Sequence, residues 1–262
     1  MKESTRVRIK TRVNILGVGA NPITMKDALD QIDEWIVQRE KNYVCVMPAH
    51  SVMDCFEDPE LRRIFNRSGM TTPDGMAIVW LLKLNGYRFV ERVYGPDLMI
   101  SAMRISKTKK WRHYLFGGTQ EVLDKLQDRI SSEYPGVEIR GTFSPPFRPP
   151  TQDEENQIVK KINESQADIL WVGLGSPRQE KWMAQNIQKI DVPVMIGVGA
   201  AFDFLSGTKS QAPHWMQKSG LEWFFRLCKE PGRLWKRYIR YPKFVILALS
   251  QLLKLKNYSI KD

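Results

Sequence analysis

The chain has 262 residues, of which 42% are hydrophobic and 26% charged, and its formal net charge is +11. This length and composition suit one large α/β domain, or a domain with an extension, that buries a core without covalent staples. The three cysteines lie far apart, with no Cys-x-x-Cys pair or Cys/His cluster, which excludes a disulfide framework and a zinc-binding module and favours a reducing, cytosolic compartment.

Residues 1–12 are basic but contain no apolar stretch, so we expect no secretory signal. Apolar runs beyond them predict strands at Val13–Gly19, Tyr43–Met47, Arg112–Gly118, Val137–Gly141, Ala167–Gly173 and Val192–Gly199. Helices are predicted at 24–39, after Ser51 to Glu57, and at 58–66, 76–84, 96–104, 119 onward, 151–164 and 178–188. Alternation of strands and helices predicts an α/β fold with a Rossmann-like, mostly parallel sheet flanked by helices.

Glycines end four of the predicted strands. They are Gly17 and Gly19, Gly117 and Gly118, Gly173 and Gly175, and Gly197 and Gly199. Ligands of open parallel sheets bind outside the carboxyl ends of the strands, where glycines let the backbone approach a phosphate or sugar. None of them completes the dinucleotide-binding motif Gly-x-Gly-x-x-Gly. The four glycine-ended strands together indicate a nucleotide or nucleotide-sugar pocket, and tight turns that bind no ligand are the alternative.

One carboxylate, Asp74, lies between Pro73 and Gly75, directly before an apolar run. Proline restricts the residue before it and glycine can adopt a positive φ, so this segment predicts a sharp turn that opens into a helix. A carboxylate there lies near a helix N-terminus and faces whatever pocket the turn borders. The alternative is an ordinary turn or cap aspartate.

Other candidates are more ambiguous. There is no Asp-x-Asp, Walker A or Gly-x-Ser-x-Gly motif, so we expect no catalytic metal and no cofactor. His50 follows the second predicted strand and could reach the pocket, although a lone histidine is more often structural. The planar guanidinium of Arg92 could bind phosphate through two parallel hydrogen bonds. The alternative is that Arg92 is only a solvated surface charge.

Five motifs occur in a fixed order. They are Thr72-Pro73-Asp74-Gly75; Arg92-Val93-x-Gly-x-Asp97-Leu98; Gly173-Leu174-Gly175-x-Pro177-x-Gln179-Glu180-x-Trp182; Gly197-Val198-Gly199-Ala200-Ala201-Phe202-Asp203-Phe204-x-x-Gly207; and Gly220-Leu221-Glu222-Trp223-x-x-Arg226, followed by Glu230-Pro231-x-Arg233-Leu234. Together they resemble the WecG/TagA/CpsF family of glycosyltransferases over about residues 13–240. The resemblance implies inverting, metal-independent transfer of a sugar from a UDP-sugar. The implied acceptor is a sugar on a polyprenyl diphosphate at the cytoplasmic membrane face, for teichoic acid, common-antigen, capsule or exopolysaccharide synthesis.

The resemblance also implies roles for particular residues. Asp74 matches the catalytic base, and Arg92 and Gln179 match donor-site residues. Arg226 and Arg233, with Lys236 or Arg237 as a third, are implied to reach the lipid diphosphate. Thr72, Gly199 and Asp203, from the same motifs, complete the expected substrate-binding set.

One segment departs from the family pattern. Members often have Thr-x-Asn where this chain has Met47-Pro48-Ala49-His50. The transferred sugar could therefore be N-acetylmannosamine, which is typical of the family, or a hexose such as glucose with His50 as a replacement contact.

Most of the positive charge lies near the C-terminus. Residues 207–262 contain 12 Lys or Arg and 3 Asp or Glu, interleaved with aromatic residues, and the apolar run 244–253 is too short to span a bilayer. We expect residues 1–206 to form a catalytic domain that binds a nucleotide sugar. Residues 207–262 would form a basic, amphipathic helical appendage on anionic lipid, which makes the protein peripheral. Helices packed on the domain or on a partner subunit are the alternative, and self-association is left open.

A nucleotide-binding regulatory protein or a nucleic-acid-binding protein is the second function class. No RNP, KH or helix-turn-helix pattern supports nucleic acid as a partner. An oxidoreductase is disfavoured because no full dinucleotide fingerprint with its later acidic residue occurs.

Overall fold

The structure is a computed structural model that describes residues 9–260, so most of the basic segment 1–12 and the last two residues lie outside the described range. The described strands are β1 (Val13–Ile15), β2 (Val18–Ala20), β3 (Asn42–Met47), β4 (Met70–Pro73), β5 (Arg112–Gly117), β6 (Glu138–Phe143), β7 (Ile169–Gly173) and β8 (Val194–Gly197). The described helices are α1 (Met25–Gln38), α2 (Ala49–Glu57), α3 (Pro59–Arg67), α4 (Met76–Leu84), α5 (Gly95–Lys109), α6 (Gln120–Glu133), α7 (Gln152–Glu164), α8 (Arg178–Asn186), α9 (Ala201–Leu205), α10 (His214–Lys218), α11 (Glu222–Lys229), α12 (Pro231–Tyr238) and α13 (Tyr241–Leu252).

Strands β3 to β8 form an all-parallel six-stranded sheet flanked by helices, so the predicted Rossmann-like α/β fold is confirmed. Cα packing divides the chain into two compact units. Unit 1 comprises Met1–Ala28, Val46–Tyr94 and Gln211–Asp262, and unit 2 comprises Leu29–Cys45 and Gly95–Ser210. Helices α10 to α13 thus belong to the same unit as β4 and α2. The predicted functional division between residues 206 and 207 stays a prediction.

In unit 2 the strand order is β3-β8-β7-β5-β6. The glycine ends of β5, β7 and β8 therefore lie side by side, with Gly117 opposite Gly173 and Val172 opposite Gly197. A Cβ on Gly117 would lie 2.5 Å from the carbonyl carbon of Gly173, and a Cβ on Gly173 would lie 2.6 Å from the ring of Phe202. These glycines are required because the backbone packs too closely for a side chain.

The prediction of one strand over residues 13–19 is wrong. Leu16 and Gly17 have φ of 53° and 89°, and they form the two-residue turn of an antiparallel hairpin between β1 and β2. Two central residues with positive φ give the turn that matches strand twist. Gly17 and Gly19 therefore do not lie in the parallel sheet, which leaves three of the four predicted glycine ends at its carboxyl edge.

The segment before Asp74 is strand β4, which the sequence analysis did not predict. Asn21, just after β2, holds this strand, because its N–H donates to Thr71 O at 3.0 Å and its Oδ1 accepts from Thr71 N at 2.6 Å. Gly75 caps α4 with φ −88°, so the expected left-handed turn is absent there. The carboxylate is instead positioned by a direct change from strand to helix.

Helix α2 begins at Ala49, three residues earlier than predicted, so His50 lies in its first turn. Helix starts in unit 2 follow the sequence more closely. Thr119 caps α6, and Thr151 and Glu154 form both hydrogen bonds of the predicted capping box at α7.

No helix within residues 9–260 is long and apolar enough to cross a membrane. Helix α13 buries Phe244 and Ala248, one turn apart, and packs on α2. Its other side leaves Ile246, Leu249 and Leu253 between 50% and 68% exposed. The helix therefore has one face in the core of unit 1 and a second apolar face at the surface.

A buried histidine joins three elements of unit 2. His113 Nδ1 accepts from Trp171 Nε1 at 3.0 Å, which leaves Nε2 to carry the proton and donate to Ser106 Oγ at 2.8 Å. Ser106 in turn donates to Ala102 O at 2.6 Å. Burial lowers the pKa of His113 to about 3, while Asp168 opposes this shift. The neutral ring is thus part of the core.

This burial predicts acid-sensitive stability. Above pH 6.5 the ring is neutral in both states, but as the pH falls from 6.5 towards 3 only the unfolded chain takes up the proton. The free energy of unfolding should therefore fall by roughly 1.4 kcal/mol per pH unit because of His113. Urea titrations between pH 6.5 and 4.5 should show a smaller slope for His113→Gln, whereas the exposed His214→Gln should keep the wild-type slope; equal slopes in all three proteins would contradict the assignment.

Candidate functional site

A cleft in unit 1 is bordered by the end of β4, the first turns of α2 and α4, and helices α11 to α13. Its lining residues are Pro48, Ala49, His50, Asp74, Gly75, Met76, Ala77, Arg92, Gln217, Gly220, Glu222, Trp223, Arg226, Tyr238 and Tyr241. Four of the residues predicted from sequence, at positions 50, 74, 92 and 226, therefore meet around one space. They come from segments up to 176 residues apart in the chain.

Asp74 is half-buried between β4 and α4, with its backbone held on both sides. Its N–H donates to Met47 O at 3.4 Å, and its carbonyl accepts from Arg92 Nε. Because the main chain is fixed, the carboxylate has a defined position at the cleft. It also lies beside the N-terminus of α4, where the helix dipole favours a negative charge.

Arg92 connects Asp74 to the C-terminal helices. Its Nη2 lies 2.5 Å from Glu222 Oε2, and its guanidinium stacks 3.9 Å from the ring centroid of Tyr94. Tyr94 Oη donates to the second carboxylate oxygen of Glu222 at 2.8 Å. Both carboxylate oxygens of Glu222 thus have a hydrogen-bond partner. Arg92 contacts three residues: Asp74, Glu222 and Tyr94.

The electrostatics of this group follow from its burial. Burial by itself lowers the pKa of Arg92, but the nearby carboxylates of Asp74 and Glu222 outweigh it, and the net shift is upward. Burial and the same two negative charges raise the pKa of Tyr94 well above its usual value. Arg92 therefore stays charged and Tyr94 stays protonated at neutral pH, as their hydrogen bonds to Glu222 require.

Positive charge dominates the other side of the cleft. His50 is only 6% exposed, and burial, followed by the charges of Arg237, Arg226 and Arg240, lowers its pKa well below the usual value. Burial also lowers the pKa of Arg237, with Arg226 and Arg233 adding repulsion against the attraction of Asp54. Like charges held this close create a site that suits an anion.

The arginines of this group differ in their fixed partners. Arg240 donates to Asp54 and to Glu57, the latter at 2.9 Å, which anchors the chain before α13 on α2. Arg233 is about half exposed and pairs with Glu230 at 2.6 Å within its own turn. Neither Arg233 nor Arg237 lines the cleft directly.

Aromatic rings hold the C-terminal helices around the cleft. Trp223 of α11 meets Tyr238 of α12 and Tyr241 of α13, with ring centroids 5.9 and 5.6 Å away. The two tyrosines are themselves 5.0 Å apart. Burial raises the pKa of both tyrosines, so they remain neutral donors beside the arginines.

Thr72, also expected to bind substrate, is 0% exposed, and its hydroxyl donates to Val93 O at 3.2 Å. Val93 N in turn donates to Pro73 O at 3.0 Å. These bonds attach the segment carrying Arg92 to β4. The placement favours a role in positioning Arg92 over contact with a ligand.

Three predicted residues lie in unit 2. Gln179 is 2% exposed, and its Oε1 accepts from Gly199 N at 2.9 Å while its Nε2 donates to Glu180 Oε1 at 2.9 Å. Gly199 has φ +57° and open space where a Cβ would be. Asp203, in α9, pairs with Lys209 at 2.8 Å. The buried side chain of Gln179 therefore holds the turn at Gly199, which follows β8, by a hydrogen bond.

Sequence reasoning assigned no role to Glu222, Tyr94, Tyr238 or Tyr241. Glu222 opens α11 and would pass as an ordinary acidic residue of a first helical turn. In the sequence, Glu222 is distinguished only by its position in the motif Gly220-Leu221-Glu222-Trp223. Over residues 9–260, no three His, Cys, Asp or Glu side chains are grouped as a metal site requires.

The Arg92–Glu222 pair should contribute measurably to stability. Glu222→Gln keeps the shape but removes the charge that compensates the buried guanidinium, and we expect a loss of about 2 kcal/mol in the free energy of unfolding. The matched control is Glu121→Gln, because Glu121 forms an exposed ion pair with Lys125 on α6. Urea unfolding should show no resolvable change for the control, and an equally small change for Glu222→Gln would disprove the structural role of the pair.

Comparison with known proteins adds independent findings. An N-acetylglucosaminyldiphosphoundecaprenol N-acetyl-beta-D-mannosaminyltransferase of Bacillus subtilis (strain 168) is 29% identical over 252 residues, which cover 96% of this chain and 95% of that protein. The enzyme of the same name from Bacillus spizizenii (strain ATCC 23059 / NRRL B-14472 / W23) is 29% identical over 75% of this chain and 74% of its own length. The one from Staphylococcus aureus (strain MW2) is 24% identical over 94% of both chains.

The family model of the glycosyl transferase WecG/TagA/CpsF family matches residues 13–258. This range includes both compact units and helices α10 to α13, so the match is to the whole described architecture. The earlier resemblance is thereby confirmed, and this chain is a glycosyltransferase that belongs to the WecG/TagA/CpsF family.

Proposed function

We propose that this protein transfers a sugar from a UDP-sugar to a sugar carried on a polyprenyl diphosphate, with inversion and without a metal, in the synthesis of a cell-surface polysaccharide. The observation that carries the proposal is the cleft in which Asp74 lies with Arg92, His50 and Arg226. It places one fixed carboxylate in the same space as two guanidinium groups. The names of the relatives support the acceptor, because they specify N-acetylglucosaminyldiphosphoundecaprenol.

Asp74 acts as the general base. Its carboxylate takes the proton of the acceptor hydroxyl while that oxygen forms a bond to the anomeric carbon of the donor sugar. The bond from that carbon to the β-phosphate oxygen of UDP breaks at the same time, so UDP leaves with the electron pair. Attack from the side opposite the leaving group inverts the configuration. A carboxylate whose main chain is hydrogen-bonded on both sides is suited to this step because it is held in place before the substrate binds.

The leaving diphosphate needs charge compensation more than it needs a proton. Arginine provides this with planar, paired N–H donors. In unit 1 we assign a diphosphate contact to Arg226, which lines the cleft, and a supporting positive charge to Arg237, which does not, with Arg92 as the residue that fixes Asp74. In unit 2 we assign UDP-sugar contacts to the turn at Gly199, held by Gln179, and to Asp203.

The transferred sugar stays open between two candidates. The relatives' names specify an N-acetylmannosaminyl group, which favours that donor. The segment Met47-Pro48-Ala49-His50, which departs from the Thr-x-Asn pattern, leaves a hexose such as glucose as the second candidate.

We propose peripheral attachment to the cytoplasmic face of the membrane through helices α10 to α13. Exposed apolar side chains are concentrated there, and the segment carries most of the chain's net positive charge. Apolar side chains beside Lys and Arg on short helices are typical of proteins that bind anionic lipid surfaces. Attachment would hold the cleft near an acceptor that is itself a lipid.

Asp74→Asn is the direct test of the enzymatic proposal. Because the amide cannot take a proton from the acceptor, turnover should fall by about 100-fold or more, while UDP binding stays within about threefold of wild type. The assay measures UDP release from UDP-sugars with lipid-linked N-acetylglucosamine as acceptor, in the presence of EDTA, which should not slow the wild type. Asp128→Asn, at an exposed position on α6, is the matched control. Near-normal rates for Asp74→Asn would refute Asp74 as the base.

The membrane proposal predicts a loss of vesicle binding when the exposed face of α13 is made acidic. The double variant Ile246→Glu and Leu249→Glu should bind vesicles containing phosphatidylglycerol about tenfold more weakly, because apolar burial and charge attraction are both reduced. Val37→Glu is the control, since Val37 is 75% exposed on α1. Co-sedimentation measures both, and equal binding by the two variants would argue against attachment through α13.

A further inference from the structure

His50 occupies an unusual position for a histidine. It lines the cleft from the first turn of α2 but is only 6% exposed. Its Nδ1 atom is buried and has no hydrogen-bond partner among residues 9–260. A buried polar atom without a partner is destabilising, so such an atom at a cleft indicates that something bound there completes its hydrogen bonding.

The charges around this ring define what could bind. Burial has the largest effect on the pKa of His50. Three cations lower it further: Arg237, Arg226 and Arg240. Titratable groups of the same cleft are Asp74, Arg92, Glu222, Tyr238 and Tyr241, and Asp54 lies on α2 itself. Asp54 is committed to Arg240, and Glu222 to Arg92 and Tyr94.

After burial, the charges that act most on His50 are thus all cations, so the ring lies in a positive potential. A neutral imidazole is the state that such a neighbourhood favours while the cleft holds no anion. A multiply charged anion reverses this preference, because it neutralises the arginines and attracts a proton to the ring. Binding of the anion and protonation of the ring are therefore coupled by linkage.

We propose that His50 is a ligand of the diphosphate group bound in this cleft, and that its imidazole takes up one proton from solvent when the diphosphate binds. The protonated ring then donates a charge-assisted hydrogen bond to a phosphate oxygen. No covalent bond is made or broken, and the proton returns to solvent when the diphosphate leaves. The inference rests on the proposed function and adds to it a residue of this chain's own sequence and a dependence on pH.

Two sources offer the same diphosphate chemistry: the nucleotide of the donor and the lipid carrier of the acceptor. UDP and farnesyl diphosphate, a short water-dispersible prenyl diphosphate, represent them. The ring is expected to respond to one source much more than to the other, because a single imidazole contacts one diphosphate at a time. The probe that shows the response identifies the source.

Proton NMR of the full-length protein reads the ring directly, since the chain contains only three histidines. His50→Gln assigns the signal. In the free protein the His50 ring should titrate well below the usual range of a histidine, whereas with saturating diphosphate probe its midpoint should move upward by at least one pH unit. The signal of His214, which is exposed, serves as the internal reference and should not respond to the probe.

Calorimetry of the wild type in two buffers of different ionisation enthalpy gives a second, variant-independent readout. One probe should bind with uptake of up to one proton per site at pH 6.5. His50→Gln should lose that uptake and bind the same probe about tenfold more weakly at pH 6, with a smaller difference at pH 8. His214→Gln should match the wild type throughout, and titration of the phosphate itself cancels in the comparison.

The possible results distinguish a failure of the His50 inference from a failure of the proposed function. If the wild type binds a diphosphate but the His50 signal does not move and His50→Gln binds equally well at every pH, the inference is overturned while the proposed function stands. If the wild type turns over UDP-sugars but neither probe binds with proton uptake, the inference is likewise overturned. If the wild type binds neither probe and releases no UDP, both fail.

Discussion

The geometry of the cleft depends on one buried guanidinium. Arg92 donates to the backbone carbonyl of Asp74 and, through its other end, to Glu222 at the start of α11. The same residue thus fixes the main chain of the proposed base and attaches the C-terminal helices to the segment that carries it. Since an uncompensated buried charge is costly, the three groups are held as a unit.

This arrangement gives helices α11 to α13 two roles. Their inner faces supply Glu222, Arg226 and the aromatic contacts around Tyr238, which complete the cleft. Their outer faces leave large apolar side chains exposed. A single segment can therefore form the wall of the proposed active site and the surface proposed to meet the lipid. A lipid-linked acceptor requires both in one place.

Backbone packing, rather than side-chain chemistry, shapes unit 2. Adjacent strands end in glycines because the main chains of Gly117 and Gly173 approach too closely for a Cβ. The buried amide of Gln179 then holds the turn at Gly199 by a single hydrogen bond to its N–H. The open space at the Gly199 turn leaves room for a bound diphosphate or sugar to approach the main chain.

The sequence by itself determined the alternation of strands and helices, the parallel sheet, the caps at Thr119 and Thr151, and Asp74 as the distinctive carboxylate. These follow from local periodicity and from residue types whose effects act within a few positions. Only the tertiary structure decided the rest. The pairing of Glu222 with Arg92, 130 residues away, and the unpartnered nitrogen of His50 depend on contacts between distant segments. Local sequence pattern cannot specify such contacts, because the role of a buried charge or polar atom depends on which groups the fold packs against it.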